Sequence, residues 1–268
     1  MLLATATAQD WAIQSWDIKQ AFPNALIDTT IYIEQPEGFP NPQYPHHVCL
    51  LNKALYGLKQ ASRQWQKLLS SLLYQLGFQS LSIDTATYIN QKQKIIIATH
   101  VDDLLIFGID KQRIKQLFHE LSEISELEIK DLGDVTEFLG IRITRSNRSI
   151  YISQESYLQR LLTRFNKQNV KPRKTPLQQG TKLNKNDQTA TPKDTNLFQQ
   201  QIGSLIYLAI FTRPDITYAV NLLSRFMANP SPEHFSSLDY LWGYLSHSRQ
   251  LGLLYHLDTD SKNSSKSD

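Results

Sequence analysis

The run "IIIATHVDDLLIFG" (residues 95–108) is apolar and β-branched on both sides of two consecutive aspartates, Asp102 and Asp103. Neighbouring residues of a strand point to opposite faces, so one uninterrupted strand would drive a carboxylate of the pair into the core. An isolated buried carboxylate is costly even after relaxation. The pattern therefore predicts a hairpin: strands at 86–90 and 94–99 lead in, "LLIF" returns, and the aspartates lie at the tip. Two uses fit them there. Aspartate favours turns, where it bonds its own backbone. Equally, carboxylates at a tip offer the hard oxygen ligands that a divalent cation prefers. The dipeptide alone is a weak signal and leans towards the turn.

A third carboxylate changes the weighting. Asp17 ends a short strand-like run over 9–19 that enters "WDIK". Taken singly it reads as an N-cap or a turn residue. Brought beside Asp102 and Asp103, it would complete a site for two Mg²⁺ ions about 3.5–4 Å apart.

The rest of the chain sets limits. Its 268 residues suffice for one large domain or two smaller ones with cores of their own. A net charge of +3 is too weak to argue for nucleic acid by itself. The single cysteine, Cys49, excludes an internal disulfide framework and a cysteine-cluster metal site. No apolar run approaches the ~20 residues of a membrane span, and "MLLATATAQDW" lacks the basic start of a signal peptide.

Residues 30–35 alternate as a half-buried strand, and the prolines of "PEGFPNPQYP" make a loop. From Gln60 to Leu76 the apolar residues recur at helical spacing, with Gly77 as C-cap. Ile114 to Ile124 mark a second helix. "FLGIRITRSNRSIYIS" reads as a hairpin turning at Ser146–Arg148, followed by the helix "QESYLQRLLTRF". Composition shifts after Phe165, so the expected organisation is 1–165, a polar basic segment at 166–196, helices over 197–257, and a disordered tail at 258–268. The basic segment reads as a solvated linker or a long ordered loop, and as either a tether or a phosphate-contacting arm. Ser231 with Pro232 starts the last helix.

Five stretches, "WDIKQAFPNALIDTTIYIEQPEGFP", "CLLNKALYGLKQASRQW", "HVDDLLIFG", "LGDVTEFLGIRI" and "IGSLIYLAIFTRPDITYAV", resemble in order the motifs of the reverse transcriptase of copia-type LTR retrotransposons. The resemblance runs from about Trp11 to about Tyr255. It implies an α+β fold: a right-hand polymerase palm, with an antiparallel sheet packed on helices, then a helical thumb or connection region. It implies that Asp17, Asp102 and Asp103 are the catalytic carboxylates and hold two Mg²⁺ ions, or Mn²⁺. It gives Phe22 as a steric gate against the ribose 2′-hydroxyl, where composition alone equally allows a core phenylalanine. Lys53, Gly57, Lys59, Gln60 and Arg63 would lie under nucleotide and template, and Trp65 reads as core. Phe138, Leu139 and Gly140 resemble a primer grip, or else are hairpin core. Arg213 and Asp215 suit a local helix cap as well as a nucleic-acid contact.

The implied partners are an RNA template, a DNA primer and dNTPs, with integrase and RNase H segments if the element is intact, and no membrane. An intact element would place the chain in a cytoplasmic virus-like particle. Against the family pattern, the chain starts 16 residues before Asp17 and stops before any RNase H carboxylates, as a fragment truncated at both ends would. His100 replaces the tyrosine before "VDD", and Pro23 and Ala25 replace leucine and glycine. Two expectations follow: an RNA-directed DNA polymerase core, or an inactive remnant that binds nucleic acid at most. A two-metal nuclease is a third class that also clusters aspartates, and "QPEGF" and "ALYGLKQAS" speak against it.

Overall fold

The computed structural model describes residues 1–147 and 149–256, and the chain gathers into two units, Met1–Val135 and Thr136–Asp268. Arg148 of the expected turn and the expected tail at 258–268 lie outside the described residues.

In the first unit the elements are α1 (Leu2–Ala8), β1 (Ala12–Ile18), α2 (Ala21–Asn24), β2 (Tyr32–Ile33), β3 (Cys49–Leu50), α3 (Ala61–Gln75), β4 (Gln79–Ser80), β5 (Thr87–Asn90), β6 (Ile95–His100), β7 (Asp103–Gly108), α4 (Lys111–Ile124) and β8 (Ile129–Asp134). Six strands form one sheet in the order β4-β5-β6-β7-β1-β8, and each neighbouring pair is antiparallel. Period-two residues of the central strands, among them Trp16, Ile97, Leu104 and Ile106, share a core with Trp65, Leu69 and Leu73 of α3 and with Leu117 and Leu121 of α4. Burying each such side chain stabilises by about 1.5–3 kcal/mol. The helix termini are chemically marked. Gly77, at φ +80°, donates its N–H to Tyr74 O and stops α3. Asp110 caps α4, accepting from Gln112 N at 2.8 Å.

The strand β8 had no counterpart among the sequence expectations. Its residues, "IKDLGD", are mostly exposed, and it closes one edge of the sheet. An edge strand guarded by charge carries little hydrophobic periodicity.

The second unit holds β9 (Glu137–Phe138), β10 (Ile141–Ser146), β11 (Ser149–Ser153), α5 (Glu155–Arg164), α6 (Pro192–Phe211), a 3-10 turn at Pro214–Ile216, α7 (Thr217–Ser224), α8 (Pro232–His247) and β12 (Leu253–His256). Its sheet runs β12-β11-β10-β9. The seam between the units falls at Val135, whereas composition shifts after Phe165. The reason is that Leu158, Leu161 and Leu162 of α5 share one core with Phe198, Leu205 and Trp242 of α6 and α8.

Residues 166–191 carry no helix or strand, yet Val170, Leu177 and Leu183 pack against that same core. Of the two readings, this is an ordered loop. Helix α6 begins at Pro192, five positions before the expected 197, because Thr191 accepts from Asp194 N and Pro192 fits the first turn. Arg213 is 2% exposed; it pairs with both Asp215 oxygens and donates to Ser248 O at 2.9 Å. Those partners make Arg213 and Asp215 a local brace of the helical unit. Among the described residues no helix is long and apolar enough to cross a membrane.

Candidate active site

Strand β1 lies beside β7 in a register that sets Asp17 opposite Asp103. On the other side of β7, His100 of β6 is also opposite Asp103, so the hairpin turn consists of Val101 and Asp102 alone. Val101 sits at φ +57°, a left-handed conformation that a β-branched residue rarely adopts. Two contacts hold it there. Trp65 of α3 donates its indole N–H to Val101 O at 2.5 Å, and Ile18 N donates to Asp102 O at 2.9 Å. Strained backbone of this kind persists only where its surroundings over-determine it.

All three carboxylates are half-buried, and among the described residues no lysine or arginine forms an ion pair with them. Their closeness shows in Asp103. Burial chiefly, then the negative charges of Asp102 and Asp17, push its carboxyl above the ordinary aspartate value, with His100 opposing. Asp17 and Asp102 also line an open cleft with Gln20, Asn24, Glu126 and Glu128, while Lys19 is tied to Glu128 at its rim.

The donor set tests well for magnesium. It is all hard oxygen, and magnesium keeps several waters, taking only one or two carboxylates besides substrate phosphates. Among the described residues no three His, Cys, Asp or Glu side chains form a ready-made metal shell. The remaining ligands would have to come from water and substrate.

The side chains under and beside the cluster divide clearly. Phe22, on the short α2, packs partly against the core, and its ring centroid is 4.6 Å from that of Tyr56. The Tyr56 hydroxyl is 3.5 Å from Asp102 Oδ2, and burial with the Asp102 and Asp17 charges raises its pKa. Sequence reasoning missed Tyr56 although it adjoins Gly57. The available signal was an aromatic directly before a glycine in a motif already singled out. Gly57 adopts φ +96°, which turns the chain after Tyr56. Lys53, Lys59 and Arg63 are exposed and form no ion pair among the described residues, and Gln60 is the N-cap of α3.

Phe138, Leu139 and Gly140 belong to the second unit. Phe138 pairs with Ile141, and Leu139 and Gly140 make a two-residue turn at φ +50° and +71°. Both positive values match the turn that suits a tight hairpin. The Tyr207 hydroxyl donates to Leu139 O and fixes it.

The reverse transcriptase (RNA-dependent DNA polymerase) family matches residues 1–179. The chain is 38% identical over 254 residues to a retrovirus-related Pol polyprotein from transposon TNT 1-94 of Nicotiana tabacum, covering 91% of this chain and 19% of that protein. It is 37% identical to the corresponding polyprotein from transposon RE2 of Arabidopsis thaliana, covering 92% of this chain and 17% of the other. A putative transposon Ty5-1 protein of Saccharomyces cerevisiae is 34% identical over 89% of this chain and 78% of its own length. The chain thus spans under a fifth of the plant polyproteins it matches. It belongs to the reverse transcriptase family, in the branch found in copia-type retrotransposon Pol polyproteins.

Proposed function

We propose that the chain is the RNA-directed DNA polymerase core of a copia-type element, adding deoxynucleotides from dNTPs to a primer 3′-hydroxyl on an RNA template. One observation carries the reading: Asp17 and Asp103 are opposed across β1 and β7, with Asp102 on the pinned turn beside them. These three side chains would hold two Mg²⁺ ions, or Mn²⁺. When bound, such ions supply Lewis-acid activation of the hydroxyl and neutralise the triphosphate.

The chain's own residues act by position and field. The primer oxygen bonds to the α-phosphorus as the bond to the departing pyrophosphate breaks. Asp17, Asp102 and Asp103 fix where that exchange takes place. Tyr56 orients Asp102 and supports the Phe22 ring, which sets the room left for the sugar. Lys53, Lys59 and Arg63, exposed and without carboxylate partners among the described residues, are placed to meet phosphates. The turn at Phe138, Leu139 and Gly140 is assigned to the primer end, and integrase and RNase H segments are its partners within a polyprotein.

A second reading is a remnant that binds nucleic acid without turnover, with His100 standing where the family pattern has a tyrosine before "VDD". Primer extension on an RNA template with dNTPs and Mg²⁺ separates the two. Product that vanishes in Asp102→Asn supports the polymerase. Duplex binding with no extension, indifferent to Asp102→Asn, replaces it with the remnant.

A further inference from the structure

Four residues of four neighbouring strands stand in one row across the sheet of the first unit. His100 of β6 is opposite Asp103 of β7, Asp103 is opposite Asp17 of β1, and Asp17 is opposite Lys130 of β8. Directly opposed residues of an antiparallel pair share a face, about 4.5–5.5 Å apart. The row therefore sets two carboxylates side by side, with a lysine at its β8 end. The register there is firmly held. Ile18 pairs with Ile129 at the next position, where both pack with the core, and Lys19 N donates to Glu128 O at 2.9 Å beyond them. A slip of one residue would turn Lys130 and Ile129 to their opposite faces. The irregularity of the β1–β8 ladder lies between Gln14 and Trp16, short of the row.

Lys130 is exposed and forms no ion pair among the described residues. The cations nearest it in the chain fold are committed elsewhere, Lys19 to Glu128 and Lys111 to Asp134. Asp131 is opposite Trp16 and so belongs to the other face. Lys130 therefore acts on Asp17 through its field, well inside the ~10 Å over which charges are felt in 0.1 M salt. Charge also carries along the cluster. Burial first, then the Asp102 and Asp17 charges, raise the Asp103 carboxyl, and His100 opposes them. A fixed cation at the end of such a row has two effects of opposite sign. It weakens the hold of the carboxylates on a divalent ion, and it attracts a triphosphate to the same place. Among the described residues no three acids form a ready-made metal shell, so the carboxylates lean the same way.

We propose that Lys130 is a positioning residue that couples metal binding to nucleotide binding. Its charge opposes a divalent ion at Asp17, Asp102 and Asp103 until triphosphate oxygens complete the shell and offset the ammonium. This rests on the proposed role of the three carboxylates as metal ligands. It adds a reason for the ion to be held firmly only together with the nucleotide.

The test is calorimetric titration of MnCl₂ into the full chain, without nucleotide, for wild type, Lys130→Gln, Lys130→Arg and Lys115→Gln. Lys115 is an exposed lysine of α4, so its variant removes equal charge away from the row. Lys130→Gln is expected to tighten Mn²⁺ binding about 1.5- to 5-fold at low salt, the worth of one opposite-charge cross-strand pair. Lys130→Arg and Lys115→Gln should keep the wild-type value. The gain should fade as the screening length shrinks to about 3 Å near 1 M salt. Primer extension at saturating Mg²⁺ reads the opposite sign: Lys130→Gln should raise KM for dTTP by a similar factor and leave kcat nearly unchanged. Equal Mn²⁺ constants in Lys130→Gln and Lys115→Gln overturn the proposal and leave the carboxylate site standing. So does a KM that falls together with the Mn²⁺ constant. A wild-type chain that binds no Mn²⁺ overturns both readings. Lys130-dependent Mn²⁺ binding by a chain that never extends a primer sinks the polymerase reading alone.

Discussion

Asp17 and Asp103 face each other across the β1–β7 ladder, two like charges at directly opposed positions of an antiparallel pair. Such a pair destabilises a sheet. Asp102 on the adjoining turn adds a third charge, and among the described residues no lysine or arginine forms an ion pair with the three. The fold tolerates this at the ends of strands, where each carboxylate keeps part of its hydration.

Asp103→Asn is expected to stabilise the chain while it abolishes turnover. Burial and the two neighbouring aspartates hold the Asp103 carboxyl above its ordinary value. The folded chain therefore keeps a proton that the unfolded chain has released. Stability falls as pH rises through that interval and is flat above it. The Asn variant should show the higher Tm at neutral pH, with the gap closing as pH falls below the ordinary aspartate value. Primer extension should drop by at least about 10²-fold, the scale seen when one electrostatic element of a site is removed. A lower Tm at neutral pH would show that Asp103 is held by favourable contacts instead.

Tyr56 should set sugar selectivity through Phe22. An aromatic pair of this geometry contributes about 0.5–1.5 kcal/mol beyond its area. Tyr56→Ala is then expected to cut the kcat/KM preference for dNTP over rNTP roughly 2- to 12-fold. Tyr56→Phe keeps the ring and should keep the preference, giving up only the weak hydroxyl bond to Asp102. Equal loss of selectivity in both variants would place the effect on the hydroxyl.

The hairpin, the α3 helix and the trio Asp17, Asp102 and Asp103 were readable because each has a strong local signal. Those signals are an apolar run broken by carboxylates, a leucine stripe ended by Gly77, and motifs in a fixed order. Tyr56 offered only its place before Gly57, since the rest of its setting is a ring contact to Phe22 of α2, far away in sequence. Strand β8 hid behind edge charges. The 166–191 segment stayed open between a linker and an ordered loop, because polar composition cannot reveal the few anchors, Val170, Leu177 and Leu183, that fasten it.

Trp65→Phe should harm the site more than the fold. The phenyl ring keeps the core packing, but Val101 O loses its 2.5 Å donor, at a cost of about 1 kcal/mol. With that pin gone, Val101 can leave its left-handed conformation and carry Asp102 with it. The expected result is a Tm lower by about 2–4 °C with primer extension down by a larger factor. Trp65→Ala should instead cost about 3–5 kcal/mol, by emptying the core. Activity that tracks stability alone in both variants would remove the turn from the mechanism.

His234 should make the second unit acid-sensitive. Its ring is fully buried and stacks on Phe226 with centroids 3.9 Å apart. Nδ1 accepts from Ser231 N at 2.8 Å, so Nε2 carries the proton and donates to Asn184 O. Burial pushes its pKa below the ordinary histidine value, and the Asn184 carbonyl and the Glu233 charge oppose that only in part. In the unfolded chain the same ring takes up a proton as pH falls through about 6.5, while the folded ring stays neutral. Stability present at neutral pH is thus lost on acidification below that point. A second proton on the ring would also turn Nδ1 from acceptor to donor and break the Ser231 capping box. Urea unfolding of wild type should give a midpoint that declines from about pH 7 to pH 5, and His234→Gln should flatten that decline while lowering stability throughout. An unchanged slope in the variant would move the acid sensitivity to another group.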